Sequence, residues 1–507
     1  MGSSRFCVIS LTYYMIAQSL CPLCLCGSFH PPPLGGMYLR IHFTHQTQES
    51  LTMQQGDLIE IEITDLNHTG EGVGKYRGQV IFVPDTVIGD RIQTRITYIK
   101  KSHAIGKLQT ILQASPHRIR PRCIVADKCG GCQWQHIDDQ FQRLVKKEQV
   151  QEVLTRIGGF TDPLVYPPLT GNSPLAYRNK ATYPLGFSPT GNVQAGYYRR
   201  GSHHLINLNQ CPIQDQALNP FLAEIKQDIQ EQGWSIYDEK THQGQLRHLS
   251  LRIGRHTGEI LLTLISTDNN LQGIETQARQ WLAKYANLVG VTVNYNPDRG
   301  NAIFGSQTQT IAGRDYITEK FAGLTYQLAA DTFFQVNTEA AEALFALICQ
   351  KLELKGEEIL IDAYCGIGTF TLPLAKRVKE VIGLESYSFS LDRAKINAQL
   401  NNITNTTFIL GAVEKTLPQL TVKPDIILLD PPRKGCDRSV LDSLLQLQSQ
   451  RIVYISCQSA TLARDLQYLC QTGDYQLLEV QTADFFPQTP HVECAAFLRQ
   501  KNTNMVG

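Results

Sequence analysis

The sequence lacks a strong net charge, an evenly spread set of cysteines and, after its first residues, any long apolar run. Its 47 Lys and Arg nearly balance its 46 Asp and Glu, so no global field marks an acidic partner. After residues 6–20, no stretch is apolar enough to cross a membrane. The 14 cysteines fall into groups, unlike a disulfide framework. These absences favour a protein of a reducing compartment, the cytoplasm, with no membrane partner.

The first 52 residues differ in composition from the rest of the chain. Their apolar run has only Arg5 before it, and no clear small-residue cleavage site follows, so a signal peptide is the weaker interpretation. Met37 and Met53 are alternative start positions. We therefore expect 1–52 to be a disordered leader or the product of a start assigned too early.

Residues 53–112 carry the pattern of a small β-barrel. Residues 57–64 alternate polar and apolar side chains, as a half-buried strand does, and three further short apolar stretches follow a turn-rich segment, 67–74. Short strands at this spacing predict a barrel of the oligonucleotide-binding type. The stretch GEGVGKYRGQVIFVPDTVIGD resembles a TRAM domain, an RNA-binding barrel of RNA-modifying enzymes. A barrel with a purely structural role is the alternative.

One group of cysteines lies in the middle of the chain. Cys123, Cys129 and Cys132 share a short segment, and Cys211 follows much later. Four thiolates in this arrangement can hold a [4Fe–4S] cluster. The spacing is less typical of zinc, which is the first alternative, and four ordinary buried cysteines are the second. We expect 116–325 to form a mixed α/β central domain that holds the cluster in a structural role.

Basic and aromatic residues cluster in this same central region, which the near-zero net charge conceals. They are Arg118, Arg120, Arg122, Tyr177, Arg178, Lys180, Tyr197, Tyr198, Arg199, Arg200, His203, His204, Arg247, His248 and Arg252. Arginine and lysine pair with phosphates, and aromatic rings stack on unpaired bases. A solvated charged face is the alternative for any one group. Several groups beside a barrel favour RNA as the partner.

The last third, 326–502, predicts a Rossmann-like α/β domain. Apolar strands alternate with helical segments, which is typical of a parallel doubly wound sheet. Ligands of such sheets bind beyond the carboxyl ends of the strands. The side chains expected at this edge are Tyr364, Gly366, Glu385, Asp430 and Cys457.

This edge suits a nucleoside ligand. Gly366 and Gly368 allow the first turn to approach a ligand closely, and Glu385 can accept both ribose hydroxyls. The third glycine of the dinucleotide fingerprint is missing, which favours S-adenosylmethionine over a dinucleotide.

A cysteine at a strand end beside a methyl donor fits one reaction well. A thiolate that adds to carbon 6 of uracil makes carbon 5 nucleophilic, and a base must afterwards remove the carbon 5 proton. Cys457 is the candidate nucleophile and Glu493 the candidate base. The alternatives are a packing cysteine and a surface acid. A methyltransferase for amino groups would also use the Asp430-Pro-Pro motif, but it has no need of Cys457.

Seven motifs in order resemble the RNA uracil-5-methyltransferase family, specifically its bacterial branch with a TRAM domain and a four-iron cluster. They are CGGC, DTFFQVNTEAAE, LIDAYCGIGTF, GLES, LLDPPRKG, YISCQSATLARDL and PHVECAAFL. The resemblance implies that Cys457 is the nucleophile and Glu493 the proton acceptor. It implies contacts with S-adenosylmethionine for Gln335, Tyr364, Glu385 and Asp430. It places Phe333 and Gln335 near the target base, and it implies the cluster ligands Cys123, Cys129, Cys132 and Cys211.

The resemblance also implies a substrate. Relatives that act on tRNA generally lack the barrel and the cluster, so we expect 23S rRNA as the substrate of a monomeric enzyme. A tRNA methyltransferase and a non-catalytic RNA-binding or iron–sulfur sensor protein are the alternatives. The chain departs from the family at Gln458-Ser459, where Asn-Pro is usual, and at Ala412, where a polar residue is common. Without the proline, the turn after Cys457 is expected to be less constrained.

Overall fold

The computed structural model describes residues 53–471 and 475–501. The predictions made for 1–52 lie outside these residues. The chain from Gln54 onward forms a single unit. Among the residues described, no helix combines the length and the apolar character needed to span a membrane.

Five strands close the N-terminal barrel in the order β1-β2-β3-β5-β4, as the sequence predicts for a small barrel. Their bounds are β1 (Leu58–Leu66), β2 (Gly72–Tyr76), β3 (Gln79–Val83), β4 (Arg91–Ile99) and β5 (His103–Gln113). The alternation in β1 buries Ile59, Ile61 and Ile63 and exposes the acids between them. β2 begins inside the stretch that the sequence marks as a turn. Its glycines serve close packing, because a Cβ at Gly72 would collide with the side chain of Thr86 and a Cβ at Gly74 would collide with strand β1.

The central region builds a mixed seven-stranded sheet in the order β13-β12-β11-β10-β7-β8-β9, in which only β11 and β12 run parallel. The elements from the end of the barrel to this sheet are α1 (Asp139–Arg156), β6 (Val165–Leu169), β7 (Lys180–Phe187), β8 (Val193–Tyr198), β9 (Leu205–Asn207), α2 (Asn219–Gln232), β10 (Leu246–Ile253), β11 (Ile260–Ser266), α3 (Ile274–Lys284), β12 (Leu288–Tyr295) and β13 (Gln307–Gly313). A hairpin, β14 (Tyr316–Phe321) and β15 (Leu324–Ala329), follows.

The C-terminal region forms an eight-stranded sheet in the order β18-β17-β16-β19-β20-β22-β21-β6. Its elements are α4 (Thr338–Leu352), β16 (Ile359–Ala363), α5 (Thr371–Ala375), β17 (Glu380–Glu385), α6 (Ser388–Leu400), β18 (Thr406–Leu410), α7 (Val413–Thr416), β19 (Ile426–Leu429), α8 (Arg438–Leu447), β20 (Arg451–Ser456), α9 (Ser459–Gln471), β21 (Tyr475–Ala483) and β22 (Glu493–Gln500). The strands from β16 to β20 are parallel, and β22 is antiparallel to β20. The predicted Rossmann-like sheet is therefore confirmed.

Helix α1 and strand β6 precede the central sheet in the chain but pack on the C-terminal sheet. β6 pairs with β21 in parallel. Val150 and Leu154 of α1 share one buried core with Val165 and with strands β19 and β20. Helix α1 and strand β6, which follow Cys132 in the chain, thus connect the central region with the edge of the C-terminal sheet. The domain boundaries expected at 116–325 and 326–502 stay a prediction.

Candidate active site

The parallel register brings three strand ends level. Ala363, the last residue of β16, pairs with Leu384 of β17 and with Leu429 of β19. The residues that follow these positions, and so share one edge of the sheet, are Tyr364, Glu385 and Asp430. This is the edge at which α/β sheets bind ligands.

The antiparallel strand β22 brings an acid to the same edge. Ser456, at the end of β20, pairs with Cys494 of β22. One step outward along this register, Cys457 stands opposite Glu493. Directly opposed side chains of an antiparallel pair have Cβ atoms about 4.5–5.5 Å apart. Glu493 is buried, whereas Cys457 keeps part of its surface exposed.

The thiol of Cys457 lies among charges of both signs. Burial raises its pKa, and the negative charges of Glu493 and Asp430 raise it further. The positive charge of Arg433 opposes these effects and lowers the pKa of Cys457 in part, although the pKa stays above its ordinary value. The sequence pattern alone predicts no role for Arg433. The feature of the sequence that could have identified Arg433 is its position directly after Asp430-Pro-Pro, close to the end of a strand.

The two acids nearest to this thiol are also shifted. Burial raises the pKa of Glu493 well above its usual range, the charge of Asp430 adds to this, and Arg433 opposes it. Burial also raises the pKa of Asp430 to about 7, with the charge of Asp362 as a further cause. A carboxylate with a raised pKa is a better proton acceptor near neutral pH than an exposed one.

Glu385, the acid at the end of β17, is held in one orientation. The backbone N–H of Gly366 donates to one oxygen of Glu385 at 3.0 Å, and that of Tyr387 donates to the other at 2.7 Å. The oxygen that accepts from Tyr387 also accepts a hydrogen bond of 3.2 Å from the hydroxyl of Ser386, so the lone pair left for a ribose hydroxyl is on the oxygen that accepts from Gly366. Tyr364 has a φ of 75°, a region that bulky residues rarely occupy and that marks functional turns.

Gln335 and Phe333 lie in a different loop, between β15 and α4. Gln335 is buried, and its carbonyl accepts a hydrogen bond of 2.8 Å from the side chain of Asn179. The backbone N–H of Asn179 also donates to the carbonyl of Val336. Phe333 is 65% exposed, which leaves its ring free to stack on a base. The loop is thus fixed to the central sheet and presents an aromatic ring to solvent.

The turn after Cys457 has a constraint that the sequence did not predict. The hydroxyl of Ser456 accepts a hydrogen bond of 3.1 Å from the N–H of Gln458 and donates one of 3.2 Å to its carbonyl. The hydroxyl of Thr461 donates to the carbonyl of Arg433 at 3.1 Å. Side-chain hydrogen bonds therefore hold the turn where the family usually has a proline.

The four central cysteines lie together, although not as a closed ion site. Cys123, Cys129, Cys132 and Cys211 line one cavity. Burial raises the pKa of Cys132 to about 12 and that of Cys211 to about 11, with neighbouring thiols adding to both. Within 53–471 and 475–501, no group of three or more His, Cys, Asp or Glu is placed to hold a metal ion. Thiolates around one zinc ion would stand within about 4 Å of each other. The predicted cluster site is therefore not shown.

Two family models match the chain. Residues 172–501, more than half of the chain, match the tRNA (uracil-5-)-methyltransferase family. Residues 53–108 match the TRAM domain. The second match covers the barrel, so the predicted TRAM domain is confirmed.

Curated relatives share most of the chain. An uncharacterized RNA methyltransferase of Nostoc sp. is 61% identical over 447 residues, which cover 88% of this chain and 97% of that protein. One of Synechocystis sp. is 54% identical over 449 residues, which cover 89% of this chain and 97% of that protein.

A solved structure is similar over the same length. The Pyrococcus abyssi tRNA (uracil-54, C5)-methyltransferase in complex with S-adenosyl-L-homocysteine has a TM-score of 0.70 and 26% identity, and the match covers 87% of this chain and 100% of that chain. The family prediction made from the seven motifs is confirmed. The chain belongs to the tRNA (uracil-5-)-methyltransferase family and is an S-adenosylmethionine-dependent RNA methyltransferase.

Proposed function

We propose that this enzyme methylates carbon 5 of a uridine in 23S rRNA, with Cys457 as the nucleophile and Glu493 as the proton acceptor. The register that sets Cys457 opposite Glu493, at the edge shared with Asp430, is the observation that carries this proposal. A thiol and a carboxyl within a few ångströms are what a covalent addition and a later proton removal require.

The reaction proceeds in three steps. The charge of Arg433 favours the thiolate of Cys457, which forms a bond to carbon 6 of uracil. The electron pair of the double bond between carbons 5 and 6 then moves onto carbon 5 and the carbonyl next to it. Carbon 5 then takes the methyl group that S-adenosylmethionine supplies. Glu493 removes the proton from carbon 5, the ring double bond returns, and the bond between sulfur and carbon 6 breaks. The target base must leave its stack to reach Cys457.

The proposed methyl-donor site uses the strand ends next to this pair. Glu385, already oriented by two backbone N–H groups, would accept the ribose hydroxyls. Tyr364 and Asp430 lie level with it at the same edge, and they would contact the rest of the donor. Gln335 would approach from its own loop, which also carries the exposed ring of Phe333 near the target base.

The four-cysteine cavity is the observation behind a [4Fe–4S] cluster as the proposed group. Cys123, Cys129, Cys132 and Cys211 line one cavity, and such a cluster is held by four cysteine thiolates. Bound iron would stabilise the thiolate forms that burial disfavours. Protein prepared without oxygen should contain iron and acid-labile sulfide, and Cys132→Ser should lose both. Stoichiometric zinc in place of iron would reject the cluster.

A tRNA is the second candidate substrate, and one observation favours it. The Pyrococcus abyssi enzyme acts on a tRNA uracil, and it matches this chain over 87% of its length, so overall architecture alone does not separate the two RNAs. We retain 23S rRNA first, because the motifs resemble the branch that combines the barrel with the cysteine set. We also expect a monomer that acts in the cytoplasm.

One experiment tests the reaction and the substrate together. The purified enzyme is given S-adenosylmethionine with a labelled methyl group and, separately, 23S rRNA and tRNA that lack the modification. We expect label at carbon 5 of one uridine of 23S rRNA and none with Cys457→Ala. Label in tRNA alone would reject the rRNA assignment, and label at another atom of the RNA would reject the proposed chemistry.

A further inference from the structure

The loop that leads into Glu493, residues 484–492, is held by side chains from far upstream in the chain. Lys146 of α1 donates from its ammonium group to Asp484 at 2.6 Å and to the carbonyl of Phe486 at 3.2 Å. Both members of this ion pair are buried. A buried pair of this kind fixes position strongly, because removing one partner leaves an unpaired charge inside the protein.

The centre of the loop is held even more closely. The carbonyl of Gln488 accepts hydrogen bonds from the N–H groups of Gln133 and Trp134 at 3.1 and 3.0 Å. The side chain of Gln142 accepts from the N–H of Gln488 at 3.1 Å and donates to its side-chain oxygen at 3.2 Å. Gln488 has a φ of 71°, an unfavourable region for its type that these bonds maintain.

A further bond connects the loop with the cysteine cavity. The hydroxyl of Tyr177 donates to the carbonyl of Pro487 at 3.2 Å. Tyr177 packs in the small buried cluster that contains Cys211 and contacts Cys132. We name the upstream residues that hold this loop the Gln488 support; they are Gln133, Trp134, Gln142, Lys146 and Tyr177.

We propose that the Gln488 support positions Glu493 for removal of the carbon 5 proton, so that Gln142, Lys146 and Tyr177 are positioning residues for this single step. The inference rests on the proposed roles of Cys457 and Glu493. Cys457 directly follows β20, a strand held by pairing on both sides. Glu493, the first residue of β22, pairs with Ala483, the last residue of β21, and the supported loop 484–492 connects these two residues and leads the chain into Glu493. A displacement of about 1 Å at a reacting group can slow a step by about 10²-fold.

This order of events gives a specific signature. Methyl transfer comes before proton removal, so a misplaced Glu493 slows the breakdown of the protein–RNA bond and leaves its formation intact. The covalent complex should then accumulate on ordinary uridine RNA. A change that only loosens the fold would lower the amount of complex and the rate together.

The test variant is Gln142→Met, which keeps the side-chain volume and removes the hydrogen bonds to Gln488 of the loop, together with those to the carbonyls of Trp134 and Ile137. The control for the same replacement at a buried position is Gln277→Met in α3, where the glutamine accepts a hydrogen bond from Gln232 of the central domain. Tyr177→Phe, which removes one hydroxyl, is the second variant in case Gln142→Met does not fold. Glu493→Gln is the reference for complete loss of the base.

The measurements are turnover, the KM for S-adenosylmethionine and the fraction of enzyme bound covalently to ordinary RNA on a denaturing gel. For Gln142→Met we expect kcat about 10-fold lower and KM within about twofold of the parent. The fraction of enzyme bound covalently to RNA should rise, as we expect for Glu493→Gln. Tyr177→Phe should show a smaller shift of the same kind, and Gln277→Met should match the parent.

Two results would overturn the inference. In the first result, kcat is the same in Gln142→Met and Tyr177→Phe as in Gln277→Met. In the second, kcat falls in the two test variants but the fraction of covalent complex does not rise. In both cases Glu493→Gln would still accumulate complex, and the proposed reaction would stand. If Glu493→Gln forms no complex either, and 5-fluorouridine RNA traps none with the parent enzyme, the proposed reaction itself has failed.

Discussion

This protein has a single thiol at the strand edge and a group of four thiols in the central cavity, all at least partly buried, and the two suit different chemistry. At the strand edge, a single thiol, Cys457, lies beside the guanidinium of Arg433, which lowers its pKa against the effect of burial. In the central cavity, Cys132 lies beside three other thiols, each of which adds to the rise in its pKa. A thiolate beside a cation can attack carbon, whereas mutually repelling thiolates need a positive centre from outside. Composition alone does not distinguish the two groups.

Removing one thiol at each site should give the largest difference between Cys457 and the cavity cysteines. We expect Cys457→Ala to lower turnover by more than about 10⁴-fold and to abolish the covalent complex, because the nucleophile is lost. Cys211→Ala should retain measurable methyl transfer and lose bound iron. Turnover assays and iron analysis on both variants provide the check. Equal loss of turnover in the two would show that the groups do not differ in function.

The base should give the next largest effect. Glu493→Gln keeps the shape of the side chain and removes its capacity to accept a proton, so turnover should fall by about 10²–10⁴-fold. The covalent complex should form at a near-normal rate, which a quenched-flow experiment with a denaturing gel would measure. Slow formation of the complex would assign Glu493 to the first step instead of the last.

The sequence predicts much of this edge and little of its surroundings. Apolar strands that end at Asp430 and Cys457 are local patterns, so both residues are predicted from sequence. The role of Arg433 depends on how close its charge comes to Cys457 and Glu493, which periodicity does not report. β6 joins the edge of the sheet through a pairing that only tertiary structure reveals. The contacts of Gln488 are equally long-range.

The cation beside the nucleophile should control the pH dependence. Arg433 lowers the pKa of Cys457, so Arg433→Met should raise that pKa and leave a smaller fraction of thiolate at any given pH. The rising limb of the pH profile of kcat/KM should therefore move to higher pH, with about 10-fold lower activity near neutrality. A profile that falls in parallel at all pH values, with no shift, would show that Arg433 acts only on RNA binding.

The turn after the nucleophile should give the smallest effect. Ser456→Ala removes both hydrogen bonds to Gln458, and a lost bond of this kind costs about 1 kcal/mol. We expect turnover to fall by about fivefold or less, with an unchanged pH profile, because the charges around Cys457 stay in place. Steady-state kinetics at several pH values would measure this. A shift of the profile would mean that the turn also sets the distance from Cys457 to Arg433.

In the proposed reaction the sulfur of Cys457 bonds to uracil and the cavity cysteines do not. Mass spectrometry can test this on the peptides left after 5-fluorouridine RNA has been trapped on the enzyme and the complex digested. We expect one modified peptide, which contains Cys457 and carries the methylated, fluorinated nucleotide. A nucleotide on any other cysteine, or a normal methylation rate with no modified peptide, would contradict it.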